Sequence, residues 1–304
     1  MRELACGPVK FELPGGQRFV GWLAADGRPV VLAARCSHMG ADLARGCVRG
    51  GRLECPLHGW EYGPDGQCKR IPANASGPIP DFARQASFPT EARSGQVFFF
   101  NRPEARFPLP FFDGVKPPEL LAAPLFEFTV DAPWWLVGAN GFDAQHFRCA
   151  HDRTLCSELE VDSPHAFAWR VRAEFRVTGT NAFDRLTRLV SGRQVELTVT
   201  NWGGNLILVT ARFRRTTTYG LVSLVPLEGG RTLLRDLVWV PRRRGLLGRL
   251  LLDPLDVRIR RRFIREFVRA DVALSHGIRY EARRMIGADK VLVDYLDWLR
   301  PIHR

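Results

Sequence analysis

Two short stretches decide what the first hundred residues of this chain can build: Cys36-Ser37-His38 and, after sixteen intervening residues, Cys55-Pro56-Leu57-His58. Two thiolates and two imidazoles can hold one tetrahedral zinc ion. They can also hold a [2Fe–2S] cluster, with both cysteines on one iron and both histidines on the other. Zinc fingers usually group like ligands together, whereas each stretch here carries one ligand of each kind, which favours the two-iron cluster.

The residues that follow these stretches extend the pattern. Gly59-Trp60 directly follows the second pair, and a turn at Pro64-Asp65-Gly66 precedes the segment Arg70-Ile71-Pro72. Together with the two Cys–His pairs, these residues resemble a Rieske domain. The resemblance implies one [2Fe–2S] cluster, whose ligands would be Cys36, His38, Cys55 and His58.

The subtype of this domain is also indicated. Rieske proteins of respiratory complexes carry an extra cysteine pair and a serine after the His-Gly dipeptide, but Ala41, Leu57 and Trp60 stand at those positions here. The resemblance therefore implies that a disulfide and a hydroxyl hydrogen bond to the cluster are both absent. Because fewer hydrogen bonds to sulfur stabilise the reduced cluster less, we expect a low reduction potential, which suits a donor to an oxygen-activating iron.

A second group of metal-ligating residues follows the pattern Asp143-x2-His146-x4-His151. On a helix these positions lie close enough for two imidazoles to meet on one ion. The pattern resembles the mononuclear iron motif of Rieske non-heme iron oxygenases, closest to their small monooxygenase and demethylase members. By that resemblance His146 and His151 are Fe(II) ligands, and Asp143 is the catalytic aspartate that bridges a cluster histidine to an iron histidine. Asn140 either matches a further family residue or caps the helix.

The third iron ligand is expected far along the chain, because the family holds this iron with two histidines and one carboxylate. An apolar stripe at helical spacing runs through Phe263, Phe267, Leu274 and Ile278. Asp271 falls on that stripe, and a carboxylate on an apolar face needs a partner such as a ferrous ion. We therefore predict Asp271 as the third ligand, with Asp256 as the alternative.

The succession of elements predicts an α+β fold in two domains. Residues 1–103, rich in Gly and Pro, are expected to form an all-β Rieske domain. By resemblance, residues 104–304 form a catalytic helix-grip (START-like) domain, in which a curved antiparallel sheet surrounds an apolar cavity and a long C-terminal helix closes it. The predicted strands are 125–130, 167–177, 193–200, 206–213, 219–226 and 233–240, and the predicted helical regions are 133–151, a long helix capped by Asp253, and 290–299.

The resemblance also implies partners. The family's oxygenases form head-to-tail homotrimers, in which His58 of one chain would contact Asp143 of the next. Changing Asp143 to alanine is then expected to stop turnover with both metals bound. Electrons would come from an NAD(P)H-dependent reductase, directly or through a ferredoxin, because no Gly-x-Gly-x-x-Gly follows a predicted strand.

The implied reaction is reductive activation of O2 at Fe(II), which oxidises a small, largely apolar organic substrate by hydroxylation, demethylation or a related step. The alternative is an electron carrier or a ligand-binding protein whose mononuclear iron site is idle. The five cysteines outside the cluster pattern are expected to be small buried residues.

Composition and charge set the remaining bounds. The chain has 304 residues, of which 45% are hydrophobic, and no apolar run reaches the roughly 18 residues of a membrane-spanning helix. No secretory signal is recognisable, so we expect a cytoplasmic protein. The net charge is +12, and ten arginines lie within residues 242–269, next to a leucine-rich run at 246–252. This segment is expected to be a solvated face, a dock for an acidic redox partner or a contact with a membrane surface, or its leucines form a short buried turn. Nucleic acid is not expected, because no binding motif accompanies the charge.

Overall fold

The computed structural model describes residues 1–303. The chain divides into two compact units, of which the first ends at Leu109 and the second begins at Pro110. The predicted boundary at 103/104 falls a few residues earlier, within the same proline-rich connection. The first unit consists of strands and short 3₁₀ turns, whereas the second combines one large sheet with helices, so the α+β class is confirmed.

Three small antiparallel sheets build the first unit. Its strands are β1 (Val9–Leu13), β2 (Gln17–Leu23), β3 (Pro29–Ala33), β4 (Cys47–Arg49), β5 (Arg52–Glu54), β6 (Glu61–Tyr62), β7 (Cys68–Arg70), β8 (Ser87–Phe88), β9 (Thr90–Arg93) and β10 (Gln96–Phe99). They pair in the orders β1-β2-β3-β8, β4-β5-β6-β7 and β10-β9. The two loops that carry the Cys–His pairs flank the second sheet, because one precedes β4 and the other joins β5 to β6.

One antiparallel sheet forms the frame of the second unit. Its strands are β11 (Leu120–Ala122), β12 (Phe126–Val130), β13 (Arg153–Leu155), β14 (Glu160–His165), β15 (Ala168–Val177), β16 (Gln194–Trp202), β17 (Leu206–Phe213), β18 (Thr217–Pro226) and β19 (Thr232–Pro241). The helices are α1 (Trp134–Ala139), α2 (Ala144–His151), α3 (Ala182–Val190), α4 (Asp253–Ser275) and α5 (Lys290–Leu299). The strand order is β11-β19-β18-β17-β16-β15-β13, with β12 also paired to β19 and β14 to β15.

The hairpin predicted at Gly203-Gly204 joins β16 to β17. Both glycines have a positive backbone φ, at 59° and 87°, which residues other than glycine rarely adopt. A Cβ atom on Gly204 would also lie 2.8 Å from Cδ1 of Leu299. The second glycine therefore serves the turn and also admits the end of α5 against the sheet.

The helical region predicted at 133–151 is two helices rather than one. A 3₁₀ turn at Asn140–Phe142 follows α1, and Asp143 then adopts an extended backbone before α2 begins. Its Oδ1 accepts hydrogen bonds from the backbone N–H groups of Gln145 at 2.9 Å and His146 at 3.0 Å. Asp143 is thus an N-cap, which satisfies two amides that lack a partner in the first helical turn.

The beginning of α4 differs from the prediction. A π-helical turn at Gly248–Leu252 runs directly into α4, so Asp253 lies inside the helix and does not cap it. Its carboxylate is fully buried and pairs at 3.0 Å with the guanidinium of Arg243, whose backbone N–H also donates to it. Ion pairing, rather than capping, explains this aspartate, because a buried carboxylate needs a charged partner.

The apolar stripe predicted along α4 is only partly correct. Phe263 and Phe267 line the interior of the second unit, but Leu274 and Ile278 are exposed. The reason is that α4 ends at Ser275, so Ile278 lies beyond the helix and Leu274 occupies its last turn. The interior face of α4 continues instead through Val268 and Val272.

The leucine-rich run at 246–252 is exposed, so the prediction that it forms a short buried turn is wrong. Leu246 is 78% and Leu250 is 69% exposed. Docking of an acidic redox partner or of a membrane surface stays a prediction for this segment.

None of the helices within residues 1–303 has the length and apolar character needed to cross a bilayer. The prediction of buried cysteines outside the cluster pattern is also wrong for Cys6, Cys149 and Cys156, which are exposed.

Candidate metal centres

The two Cys–His loops of the first unit have the same local geometry. In the first, the backbone N–H of Gly40 donates to the carbonyl of Cys36 at 2.8 Å; in the second, Gly59 donates to Cys55 at 3.0 Å. Both glycines have a φ near 70°, so each loop turns back at the same point after its cysteine. Both cysteine side chains are buried. The two matching loops therefore supply one buried thiol each.

The histidines of the two loops lie together. The ring centroids of His38 and His58 are 4.8 Å apart, and the indole of Trp60 stacks on His38 at 4.5 Å. Burial raises the pKa of the Cys55 thiol, and the neighbouring Cys36 adds to that rise. Two close thiols and two adjacent imidazoles form a donor set that fits a [2Fe–2S] cluster with mixed ligation.

A hydroxyl group reaches one candidate cluster cysteine, although the serine expected to supply such a bond in respiratory Rieske proteins is missing here. The Tyr62 hydroxyl lies 3.1 Å from Sγ of Cys36 and 3.0 Å from Oγ of Ser37. Trp60 does replace the serine, but β6 brings the hydroxyl of Tyr62, two residues further along, to the sulfur of Cys36. The position after His-Gly does not reveal this contact, because Tyr62 lies two residues further along the chain.

The second centre gathers three side chains from two helices. Nε2 of His146 lies 2.8 Å and Nε2 of His151 lies 2.6 Å from the same oxygen, Oδ1 of Asp271. The three ligand atoms all lie within 4.8 Å of one another. Helix α2 supplies both histidines and α4 supplies the carboxylate, 120 or more residues later. Two imidazole nitrogens and one carboxylate oxygen that converge on one point fit the facial triad of a non-heme ferrous ion.

The charge state of Asp271 also suits a cation. Burial opposes ionisation of this carboxyl, but hydrogen bonds from His146 and His151 outweigh the burial, so its pKa is lowered. Asp271 is therefore an anion, and the cavity face of α4 around it is largely apolar. An anion in such surroundings is stabilised by positive charge.

The alternative third ligand, Asp256, is engaged elsewhere. One of its carboxylate oxygens lies 2.9 Å from Nη2 of Arg243, and the other lies 3.4 Å from Nε of Arg260. Asn140 does not cap a helix through its side chain; its Nδ2 donates to Oγ of Ser275 at 3.1 Å. This bond links the end of α1 to the end of α4, close to the three converging ligands.

Several residues that support His151 were not found from the sequence. The ring of Phe267 stacks on the His151 imidazole with centroids 3.5 Å apart. Nη1 of Arg153 donates to the His151 carbonyl at 2.7 Å and pairs with Oδ1 of Asp184 at 2.8 Å. Arg153 and Asp184 are both buried. An arginine two residues after a histidine of a metal motif is the sequence signal that could have pointed to this pair.

We expect that Asp184→Ala destabilises the second unit by about 3–5 kcal/mol, because it leaves the buried Arg153 guanidinium without a counter-charge. Chemical denaturation, followed by circular dichroism, measures the change. The matched control is Asp113→Ala, which removes an 84% exposed partner of Arg170 and should cost under about 1 kcal/mol. Equal effects of the two substitutions would contradict the structural role of the buried pair.

An apolar cavity of about 200 Å³ opens next to the second centre. His146, His151 and Asp271 form part of its wall. The rest of the wall comes mostly from the inner face of the sheet and from α4, with a few residues of α1, α2 and the turn between them. Aliphatic and aromatic side chains are in the majority. A small organic molecule in this cavity would lie beside the three ligands.

Comparison with known proteins identifies the first unit. Residues 2–89 match the family model of the Rieske [2Fe-2S] domain. These residues form a Rieske domain. The match includes all four predicted cluster ligands, and the Rieske domain accounts for the [2Fe–2S] cofactor.

The match to one curated relative is longer than the Rieske domain. Methylxanthine N1-demethylase NdmA of Pseudomonas putida is 31% identical over 179 residues, which cover 56% of this chain and 48% of that protein. The oxygenase component of 3-ketosteroid-9-alpha-monooxygenase of Rhodococcus rhodochrous is 40% identical over 95 residues, 31% of this chain and 24% of that protein. The chain thus matches about half of the first relative's length and about a quarter of the second's. The predicted relation to Rieske oxygenases is confirmed.

Solved structures match along nearly the whole chain. The structure of NdmA of Pseudomonas putida CBB5 with caffeine matches with a TM-score of 0.74 at 21% identity. The match covers 97% of this chain and 84% of the NdmA chain. Dicamba monooxygenase bound to dicamba has a TM-score of 0.72 at 17% identity, with 97% and 92% covered. At these identities the likeness concerns the fold, and it confirms the predicted fold class: a Rieske domain followed by a second unit closed by a long helix.

Proposed function

We propose that this chain is the terminal oxygenase component of a Rieske non-heme iron system, a monooxygenase that oxidises a small organic molecule with O2. The observation that carries the proposal is the convergence of His146, His151 and Asp271 at the wall of an apolar cavity, in a chain that also holds a Rieske domain. Such an oxidation needs a cluster that carries electrons. It also needs a site for Fe(II) beside a cavity that binds the substrate.

His146, His151 and Asp271 would hold the ferrous ion, and Cys36, His38, Cys55 and His58 would hold the cluster. When bound, the cluster supplies single electrons and the ferrous ion supplies O2 activation.

The chain's own residues prepare the second site. Phe267 and the Arg153–Asp184 pair keep the His151 ring and backbone in place. Asp143 caps α2 and so fixes the position of His146. The aliphatic cavity wall excludes water from the reacting molecule, which protects reactive species from side reactions.

The partners are part of the proposal. We propose a homotrimer in which the carboxylate of Asp143 connects the iron centre of one chain to His58 of the next. The half-buried position of Asp143, one helical turn before His146, supports this role. An NAD(P)H-dependent reductase, directly or through a ferredoxin, would supply the electrons.

We propose that the substrate is small and largely apolar. The enzyme would oxidise it by hydroxylation, demethylation or a related reaction. Named relatives act on methylxanthines and 3-ketosteroids, and a structural neighbour binds dicamba. The cavity has a volume of about 200 Å³, which is less than the roughly 300–1,000 Å³ of typical ligand pockets. It therefore suits a molecule of one or two rings.

Iron content, with oxygen uptake, tests the function. We expect about three irons per chain after anaerobic reconstitution, two in the cluster and one in the triad. With a surrogate reductase and NADH, oxygen uptake should rise when a library of one- and two-ring molecules is added. Mass spectrometry should find products heavier by one oxygen atom, or products lighter by one CH2 unit in which a hydrogen replaces a methyl group.

A different iron content favours the alternative. About two irons per chain, with a normal cluster spectrum and no substrate-dependent oxygen uptake, would contradict the oxygenase and support an electron carrier or ligand-binding protein.

A further inference from the structure

One buried carboxyl group in the cavity wall has no partner within the described residues. Asp236 lies on β19 and is 1% exposed, and neither Oδ1 nor Oδ2 has a hydrogen bond. The residue lines the same cavity as His146, His151 and Asp271. A buried polar group without a partner costs free energy, so such groups are rare in folded proteins.

The strands beside Asp236 offer no compensation. Its cross-strand neighbours are Phe126 on β12 and Val222 on β18, both apolar. Leu234, two residues earlier on the same face of β19, also lines the cavity. The sheet therefore surrounds the carboxyl with hydrocarbon and leaves it directed at the cavity space.

The two arginines of the cavity wall are engaged elsewhere. Arg153 pairs with Asp184. Arg260 donates to Oγ1 of Thr216 at 2.9 Å and to Oγ of Ser191 at 3.3 Å, and its Nε lies 3.4 Å from Asp256. Neither cation forms an ion pair with Asp236, so a molecule that enters the cavity is the remaining source of a partner.

Burial raises the pKa of Asp236 well above its usual range. The neutral, protonated carboxyl is therefore favoured. A protonated carboxyl has one O–H donor beside one C=O acceptor. Its best complement is a ligand edge that places an N–H donor beside an acceptor, as in a lactam or a cyclic imide, because both hydrogen bonds then form at once.

We propose that Asp236 is a substrate-binding residue that selects small, otherwise apolar ring molecules with one amide-like edge. The inference rests on the proposed function in one respect: it takes the cavity ligand to be the substrate of the adjacent iron site. It narrows the substrate class from any apolar molecule to lactams, imides and related heterocycles.

Three probes of nearly equal shape test the proposal by calorimetric binding to the protein as isolated. They are 2-quinolinone, which has the lactam edge, 1-methyl-2-quinolinone, in which a methyl group blocks the N–H, and naphthalene, which has neither group. We expect 2-quinolinone to bind at least about tenfold more tightly than the other two, as one or two buried hydrogen bonds imply.

Two variants separate the hydrogen bonds from the charge. Asp236→Asn keeps a donor beside an acceptor and should bind 2-quinolinone within a few-fold of the parent. Asp236→Leu should lose the preference for 2-quinolinone over naphthalene, while the melting temperature of the ligand-free protein rises by about 2–4 °C because an unpartnered polar group is gone.

Three results would overturn the proposal. The first is equal binding of all three probes by the parent protein. The second is tighter binding of 2-naphthylmethylammonium than of 2-quinolinone, lost in Asp236→Asn, which would show an ionised carboxylate that selects cations. The third is a crystal structure in which ordered water satisfies both oxygens with 2-quinolinone bound elsewhere. Because these measurements need no turnover, an inactive or iron-free protein would contradict the proposed function and leave the binding result readable.

Discussion

Asp271→Ala is expected to remove one iron per chain and to abolish substrate-dependent oxygen uptake, while the visible spectrum of the cluster stays unchanged. The carboxylate is the one anionic member of the triad, and its Oδ1 lies within 2.8 Å of both histidine nitrogens. Without it, only the two imidazoles remain at this point, and the site has lost its carboxylate ligand. We expect the affinity for ferrous iron to fall by at least about a hundredfold, because even outer ligand partners are worth 10–100-fold. Iron analysis after dialysis measures the loss.

Two variants on the same helix control for damage to α4. Glu266→Ala removes a partly exposed carboxylate that pairs with Arg269, and it should retain iron and turnover. Asp256→Ala tests the alternative ligand directly. If Asp256→Ala lost the mononuclear iron while Asp271→Ala kept it, the ligand set proposed here would be wrong.

Asp143→Asn is expected to keep the mononuclear iron but to reduce turnover by about 10–100-fold or more. The structure shows why asparagine is a better test than alanine. Asp143 caps α2, and alanine would remove that cap at a cost of about 1 kcal/mol and would loosen His146. Asparagine caps a helix equally well but lacks the negative charge that a link between the two metal centres needs. Reoxidation of the reduced cluster by O2 and substrate, followed by its absorbance, measures the effect.

Asp152→Asn is the matched control for this experiment. Asp152 lies at the opposite end of α2, is exposed and has a φ of 53°, a left-handed conformation that asparagine tolerates. Its turnover should equal that of the parent protein. Near-parental cluster reoxidation in Asp143→Asn, or loss of iron from that variant with α2 intact, would contradict the connecting role and leave Asp143 as a helix cap.

The sequence alone determined the features that depend on local spacing. The loops around Cys36 and Cys55 need a glycine four residues after each cysteine, so the cluster site can be read from adjacent residues. The alternating strands of the second unit and the Gly203-Gly204 turn were predictable for the same reason, because strand and hairpin patterns repeat over a few residues. The pair His146 and His151 follows from one short helix.

The tertiary structure decided whatever depends on packing between distant elements. Asp253, Asp256 and Asp271 all lie on α4, but only the packing of that helix brings Asp271 to the two histidines and the other two to arginines. The same packing leaves Leu274 exposed and places Asp236, an ordinary strand residue in the sequence, in an apolar cavity where no residue among 1–303 partners its carboxyl group. Periodicity fixes which face of an element a residue occupies; which side chains meet across that face depends on how sheet and helices come together.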